Sequence, residues 1–295
     1  MEELRTPNLL LLGAQKSAST YLGSWINSHP EVYIKSREDS SFENPEYQSF
    51  NINSIQSNVT ETYYGIRRPD YFGNIIYQER VHKWLPDAKI IIVLRNPVER
   101  AFSAYYHYMK YGIIPAKNVE YIHKILEGTH NKKYQAYANI LEYGNYYKLL
   151  MNLTKYYKRE NILVLNQEEV NNDQTFLKVA EFLNISKIIP PRPNTIPQKS
   201  IYNLKKLKIR ALYLPFKNTF DDNYSKSYSR KLADLNPISS FLVKTLSYVE
   251  KKLYNKSKQK DLMNDELRIA LLSYYRDDIN ELNKLGLIEI SNWLE

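Results

Sequence analysis

The stretch from Leu9 to Leu22, LLLLGAQKSASTYL, constrains the fold more than any other part of this chain. Its four consecutive leucines, Leu9 to Leu12, form a short apolar run of the kind that fills a strand buried on both faces of a parallel sheet. Gly13 ends the run. Small residues, Lys16 and the series Ser17, Ser19, Thr20 follow, and then Leu22, Trp25, Ile26 and His29 recur at helical spacing until Pro30 stops the helix. The unit reads strand, tight loop, helix. That arrangement aims free loop N–H groups and the positive end of a helix dipole at one point, a receptor for phosphate or another tetrahedral anion. Lys16 supplies a point charge, and the three hydroxyl residues supply donors. The common Mg-ATP loop places Gly-Lys-Ser/Thr after a Gly-x4 spacer. In this chain the lysine follows Gly13 by only three residues and no second glycine precedes it, so that loop is a poor match.

A chain of 295 residues suits one large α/β domain or two small ones, and 43% hydrophobic with 25% charged residues describes a globular protein. Lysine and arginine outnumber the acids by 41 to 32, a net charge of +9 that favours anionic ligands. It does not choose between a nucleotide, an anionic glycan, nucleic acid and an acidic membrane surface. The lack of cysteine excludes disulfides, thiolate nucleophiles and thiolate metal sites. The five histidines show no HExxH spacing, so no metal is expected. Acidic residues ahead of a very short apolar run make the start, MEELRTPNLLLLG, neither a signal peptide nor a membrane anchor. A soluble, cytoplasmic protein without a membrane span is expected.

Further along, Val32–Ile34 is a short strand candidate, and residues 44–70 carry no clean period. A helix is expected from about Gly73 to Trp84, closed by Pro86. KIIIVL, Lys89 to Leu94, is the second strongly apolar run and the next central strand. It ends in Arg95, with Asn96 as a helix N-cap, Pro97 in the first helical position and Glu99 where a capping-box glutamate sits. Ala101, Phe102, Tyr105 and Met109 mark the buried stripe of the helix that follows, leaving Arg100, Ser103 and His107 on other faces. Residues 115–160 read as largely helical, ENILVLN (160–166) as a third strand and Asp173–Leu183 as an amphipathic helix. IPPRPNTIPQKS, 189–200, reads as a turn or linker. Two basic stretches, Lys205 to Arg210 and Lys251 to Lys260, precede a closing helix through Leu267, Leu271, Tyr274, Tyr275, Ile279 and Leu282, and Trp293-Leu294 follow it. Alternating strands and helices predict an α/β fold, a central parallel β-sheet flanked by helices, with a helical C-terminal part.

The loop GAQKSAST resembles the 5′-phosphosulfate loop of the sulfotransferases that use 3′-phosphoadenosine 5′-phosphosulfate (PAPS), which reads roughly Lys-x-Gly-Thr-Thr/Ser. Lys16, Ser19 and Thr20 take the lysine and hydroxyl positions, and Ala18 stands where that family has glycine. Gln15 to Thr20 then form the cofactor-binding segment. In that family an Arg and a Ser eight residues apart hold the PAPS 3′-phosphate, and LRNPVERAFSAYYH matches with Arg95 and Ser103. A Lys/Arg-Glu pair ahead of an aromatic carries the family's general base; Arg37-Glu38 before Phe42 makes Glu38 the candidate, with Asp39 and Glu43 as rivals. His107, four residues after Ser103, matches a histidine of the glycosaminoglycan N-sulfotransferase branch and is a secondary catalytic candidate. RRPDYF, 67–72, is similar to the segment lining the family's acceptor cleft. The resemblance implies a P-loop-like sheet within one sulfotransferase domain over 1–295, its core at 6–190 and its acceptor, lid and C-terminal helices at 191–295. It also implies PAPS as cosubstrate, no metal, and a carbohydrate acceptor.

Two other classes stay open at this point. A P-loop small-molecule kinase would share the fold but needs a Walker lysine and a metal-binding Asp after a strand, and neither stands at the expected spacing. A basic nucleic-acid-binding protein would account for the charge, although acids are interleaved with the bases along the chain.

Overall fold

The computed structural model describes residues 4–43, 50–193, 203–220, 227–229, 237–256 and 263–295. The chain divides into two units, Met1–Arg100 with Glu142–Gln198 and Tyr275–Glu295, and Ala101–Leu141 with Lys199–Tyr274.

The first unit is built on the leucine run. Leu9–Gly13 forms β1, every residue of it buried. Val32–Ile34 is β2, Tyr63–Arg67 is β3, Lys89–Leu94 is β4 and Ile162–Asn166 is β5. They make one parallel sheet in the order β2-β3-β1-β4-β5. Chain order reverses on either side of β1, so the crevice for ligands opens at the carboxyl ends of β1 and β4. Helices α1 (Ser19–Ile26), α2 (Asp70–Gly73), α3 (Ile75–Trp84) and α4 (Pro97–Tyr111) follow strands along the chain. On one sheet face, Leu22, Trp25 and Ile26 of α1 join Leu9, Leu11, Ile91, Val93 and Leu165 in a buried cluster. Phe176, Val179 and Leu183 of a later helix (Asp173–Leu183) complete it. Each such side chain contributes about 1.5–3 kcal/mol by leaving water. Trp25 is pinned as well as buried: its indole N–H donates to Pro190 O at 3.0 Å and its ring lies 5.0 Å from Phe176.

Strand β3 falls in the region where the sequence shows no period. Its neighbours β2 and β1 bury it, yet it reads Tyr-Tyr-Gly-Ile-Arg, too polar and too short for a pattern to emerge. Gly65 is required there, since a Cβ would stand 2.9 Å from Ile34 Cγ1. Helix α4 is the second difference. Arg100 and Ser103, expected on faces other than the buried stripe, are 0% and 1% exposed, and Tyr106 and Tyr108 are buried too. Burial therefore extends beyond the stripe to most of the faces of α4.

Helices α5 (Tyr121–Leu126), α6 (Ala136–Glu142) and α7 (Tyr146–Leu153) occupy the stretch expected to be helical, with turns between them. The Asp173–Leu183 helix is α8. In the second unit Tyr121, Tyr134 and His130 surround Tyr137 at 5.3, 5.8 and 5.7 Å. The first basic stretch lies on α9 (Leu204–Lys217), and a two-stranded antiparallel ribbon, β6 (Asn218–Phe220) with β7 (Ser227–Ser229), follows. Helix α10 (Pro237–Lys256) packs on α9. Helix α11 (Asp265–Lys284) comes next, and Trp293 is buried near the end of the chain. Part of the proline-rich segment and residues 257–260 of the second basic stretch lie outside the described residues.

Candidate functional site

The chain leaves β1 through Gly13, whose φ of +147° only glycine adopts readily and whose absent Cβ would stand 3.1 Å from Pro69 O. Ala14 N–H donates to Val93 O, tying the loop to β4. Lys16 and Ala18 both take left-handed conformations, φ +69° and +62°. Ala18 is thus in the conformation a glycine would take without penalty, and its Cβ makes that conformation cost about 1 kcal/mol. It occupies the N-cap position of α1 and offers no side chain to cap it. Its carbonyl accepts from Tyr21 N and Leu22 N, while the N–H groups of Ser19 and Thr20 belong to the first turn, where a helix supplies no acceptor. Ser19 is buried and Thr20 exposed. The loop therefore places first-turn amides and the Ser19 and Thr20 hydroxyls next to Lys16 along the chain.

Arg95 meets this loop. One guanidinium nitrogen donates to Lys16 O at 3.3 Å, the other lies 3.7 Å from Glu99, and its own carbonyl accepts from the Tyr146 hydroxyl at 2.9 Å. Asn96 caps α4, accepting from Val98 N at 3.0 Å and Glu99 N at 3.5 Å. Behind the loop, Tyr146 is completely buried, which raises its phenol pKa against the opposing pull of Arg100, the Arg95 carbonyl bond and Ser17. Arg100, fully buried, reaches Tyr275 OH at 3.5 Å. Ser103 and His107 lie on the part of α4 that belongs to the second unit. Ser103 is buried, and the His107 ring is 4.7 Å from that of Tyr111.

The three acids that follow β2 are separated by their surroundings. Asp39 is buried and accepts from Tyr71 OH at 3.2 Å and from Ser41 N at 3.0 Å, with Lys35 Nζ 3.7 Å away. Glu43 is clamped by two nitrogens of Arg68, and burial pushes its carboxyl up to about 7 against the pull of that guanidinium. Glu38 lies 3.1 Å from the same arginine but keeps 36% of its side chain exposed, against 4% for Asp39 and 3% for Glu43. Of the three, Glu38 alone is open to an incoming group.

Arg68 is the residue that the sequence reading left unassigned. It also pairs with Asp70 at 3.2 Å, and Asp70 accepts from Gln15 Nε2 at 3.1 Å. One guanidinium thus holds three carboxylates and links them through Asp70 to the anion loop. Its signal in the sequence was the RRPDYF segment, which names the neighbourhood but not the contacts. The oxygen of the Gln15 amide, Oε1, is buried without a hydrogen-bond partner among the described residues. Among those residues no cluster of His, Cys, Asp and Glu could hold a metal ion.

A model of the sulfotransferase domain matches residues 6–232. The chain belongs to the sulfotransferase family. It is 27% identical over 298 residues to the human bifunctional heparan sulfate N-deacetylase/N-sulfotransferase 1, covering 95% of this chain and 30% of that protein. It is 26% identical over 208 residues to the bovine bifunctional heparan sulfate N-deacetylase/N-sulfotransferase 2, covering 63% and 23%. The chain thus spans less than a third of the length of these curated relatives. A sulfotransferase from Alicyclobacillus acidocaldarius shares the fold, with a TM-score of 0.65 and 19% identity over 99% of this chain and 100% of that one. The kinase and nucleic-acid alternatives find no support in these likenesses.

Proposed function

We propose that this protein moves the sulfuryl group of PAPS to a hydroxyl or amine of a carbohydrate. The observation that supports the reading is the uncapped start of α1, where the first-turn residues Ser19 and Thr20 follow Lys16 and Arg95 donates to the loop's own backbone. In this reading Gln15, Lys16, Ser17, Ala18, Ser19 and Thr20 hold the 5′-phosphosulfate, and Arg95 and Ser103 hold the 3′-phosphate. The bond to the leaving 5′-phosphate breaks as the acceptor attacks in line, and Lys16 with the loop amides stabilises the charge that gathers there. Glu38 takes the acceptor proton, and His107 is a secondary catalytic group. The exposure of Glu38 and its Arg68 partner support its role. The carbohydrate acceptor rests on the relatives, whose names concern heparan sulfate. Cations at the loop supply the charge neutralisation, so the proposal includes no metal.

Calorimetry with adenosine 3′,5′-bisphosphate, AMP and Mg-ATP in metal-free buffer tests the nucleotide. Tight binding that needs the 3′-phosphate is expected, and a preference for Mg-ATP would sink the reading. Glu38→Gln tests the base: turnover should fall on the order of 10²–10⁴-fold with bisphosphate binding intact. Near wild-type turnover would move the role to another acid.

A further inference from the structure

Helix α10 has two opposite faces. Val243 and Glu250 are buried, whereas Ile238 (75% exposed), Phe241 (68%), Leu242, Tyr248 (63%) and Val249 face outward. From Ile238 the others follow at i+3, i+4, i+10 and i+11, so they line a single stripe. Scattered exposed apolar residues are ordinary, but five on one helix face, interrupted by Thr245, mark an interaction surface.

The charge around the stripe has one sign. Lys244, Lys251 and Lys252 are exposed on α10, as are Lys205 and Lys208 on α9. The two helices contain a single carboxylate, Glu250, and it is buried, 2.7 Å from Arg210 and bonded by the Tyr213 hydroxyl. The pair therefore offers water apolar and cationic groups and no free anion.

We propose that α9 and α10 dock this protein on a membrane surface that carries anionic phospholipids. Ile238, Phe241, Leu242, Tyr248 and Val249 enter the boundary between headgroups and acyl chains, and the lysines meet the lipid phosphates. Complementarity selects this occupant over others. A soluble polyanion would engage the lysines and leave Phe241 and Ile238 in water. A second copy pairing through the same face would bring lysines against lysines. Among the described residues no helix is long and apolar enough to cross a membrane, so the contact is adsorption on the surface. The proposal does not depend on the transfer reaction.

The test is sedimentation of the full chain with vesicles of phosphatidylcholine alone or mixed with phosphatidylglycerol. Pelleting with the anionic vesicles, weakened by salt, and none with the neutral ones is expected. Ile238→Ser with Phe241→Ser, and separately Lys244→Glu with Lys251→Glu, should each lower vesicle binding about tenfold or more while bisphosphate affinity stays that of wild type. Unchanged bisphosphate affinity also shows that the variants are folded. No pelleting with anionic vesicles overturns the proposal. So does binding that the lysine variant loses and the Ile238/Phe241 variant keeps, which would make the face a general polyanion site. Dimers in solution that the Ile238/Phe241 variant converts to single chains would give the stripe to a second copy, and would overturn it as well.

Discussion

Two strand-to-helix turns of the first unit, after β1 and after β4, solve the same local problem in opposite ways. At the start of α4, Asn96 accepts from Val98 N and Glu99 N, so the side chain of the turn satisfies the helix. At the start of α1 the cap position holds Ala18, which has no group to offer. The first turn of a helix has spare donors whether or not something answers them. A filled cap makes a structural turn, whose anion contact must come from a side chain such as Arg95. An empty cap beside Lys16 leaves the first-turn donors without a side-chain acceptor, and the proposed function gives them an anion. The difference between the two turns is therefore a difference between stability and binding, and single substitutions should separate the two.

The largest effect belongs to the empty cap. Lys16→Ala should lower the rate of sulfuryl transfer on the order of 10²–10³-fold, as loss of one donor to developing charge does. A rate within a few-fold of wild type would remove Lys16 from the chemistry. Next comes the side-chain contact of the second turn. Arg95→Ala should weaken adenosine 3′,5′-bisphosphate about 10- to 100-fold in calorimetry and leave AMP unchanged. Equal losses for both nucleotides would show that Arg95 acts by bracing the loop through Lys16 O instead of by holding the 3′-phosphate. Asn96→Ala should cost about 1 kcal/mol in a denaturant titration, with bisphosphate affinity unaltered. If it weakened the nucleotide instead, the filled cap would not be purely structural. Ala18→Gly is the smallest: it relieves the left-handed strain but loosens the unfolded chain, for a net gain below about 1 kcal/mol. A loss of stability would mean that the Ala18 methyl packs more usefully than its backbone suffers.

How much of this could be read beforehand depended on whether neighbouring residues carried the signal. The leucine run, KIIIVL and ENILVLN announce β1, β4 and β5, because a strand buried on both faces needs an unbroken apolar run. Strand β3 has Tyr, Gly and Arg in five positions, and only its neighbours in the sheet make it a strand. The anion loop, Arg95 and the Asn96 cap were equally local, each a matter of residues within one turn of one another. The base was not. Glu38, Asp39 and Glu43 are equivalent as letters, and much of what separates them comes from Arg68 and Tyr71, some thirty residues from Glu38 and Asp39 along the chain.

The start of α7 shows the same division in another form. Asn145, in the cap position, makes no side-chain cap; Asp278 of α11 accepts from Tyr147 N at 3.0 Å and Lys148 N at 3.2 Å in its place. Burial raises the pKa of that carboxyl while the backbone bonds lower it. By itself, then, the sequence determined the strands that are apolar throughout, the strand–loop–helix turn after β1 and the capped turn carrying Arg95. These are properties of contiguous residues, where propensity, periodicity and capping act. The tertiary structure alone decided which acid stays open, that one guanidinium gathers three carboxylates and ties them to the loop, and that an aspartate 130 residues away caps α7. Those outcomes turn on desolvation and on distances of about 3 Å between residues far apart in the chain, which no local pattern encodes.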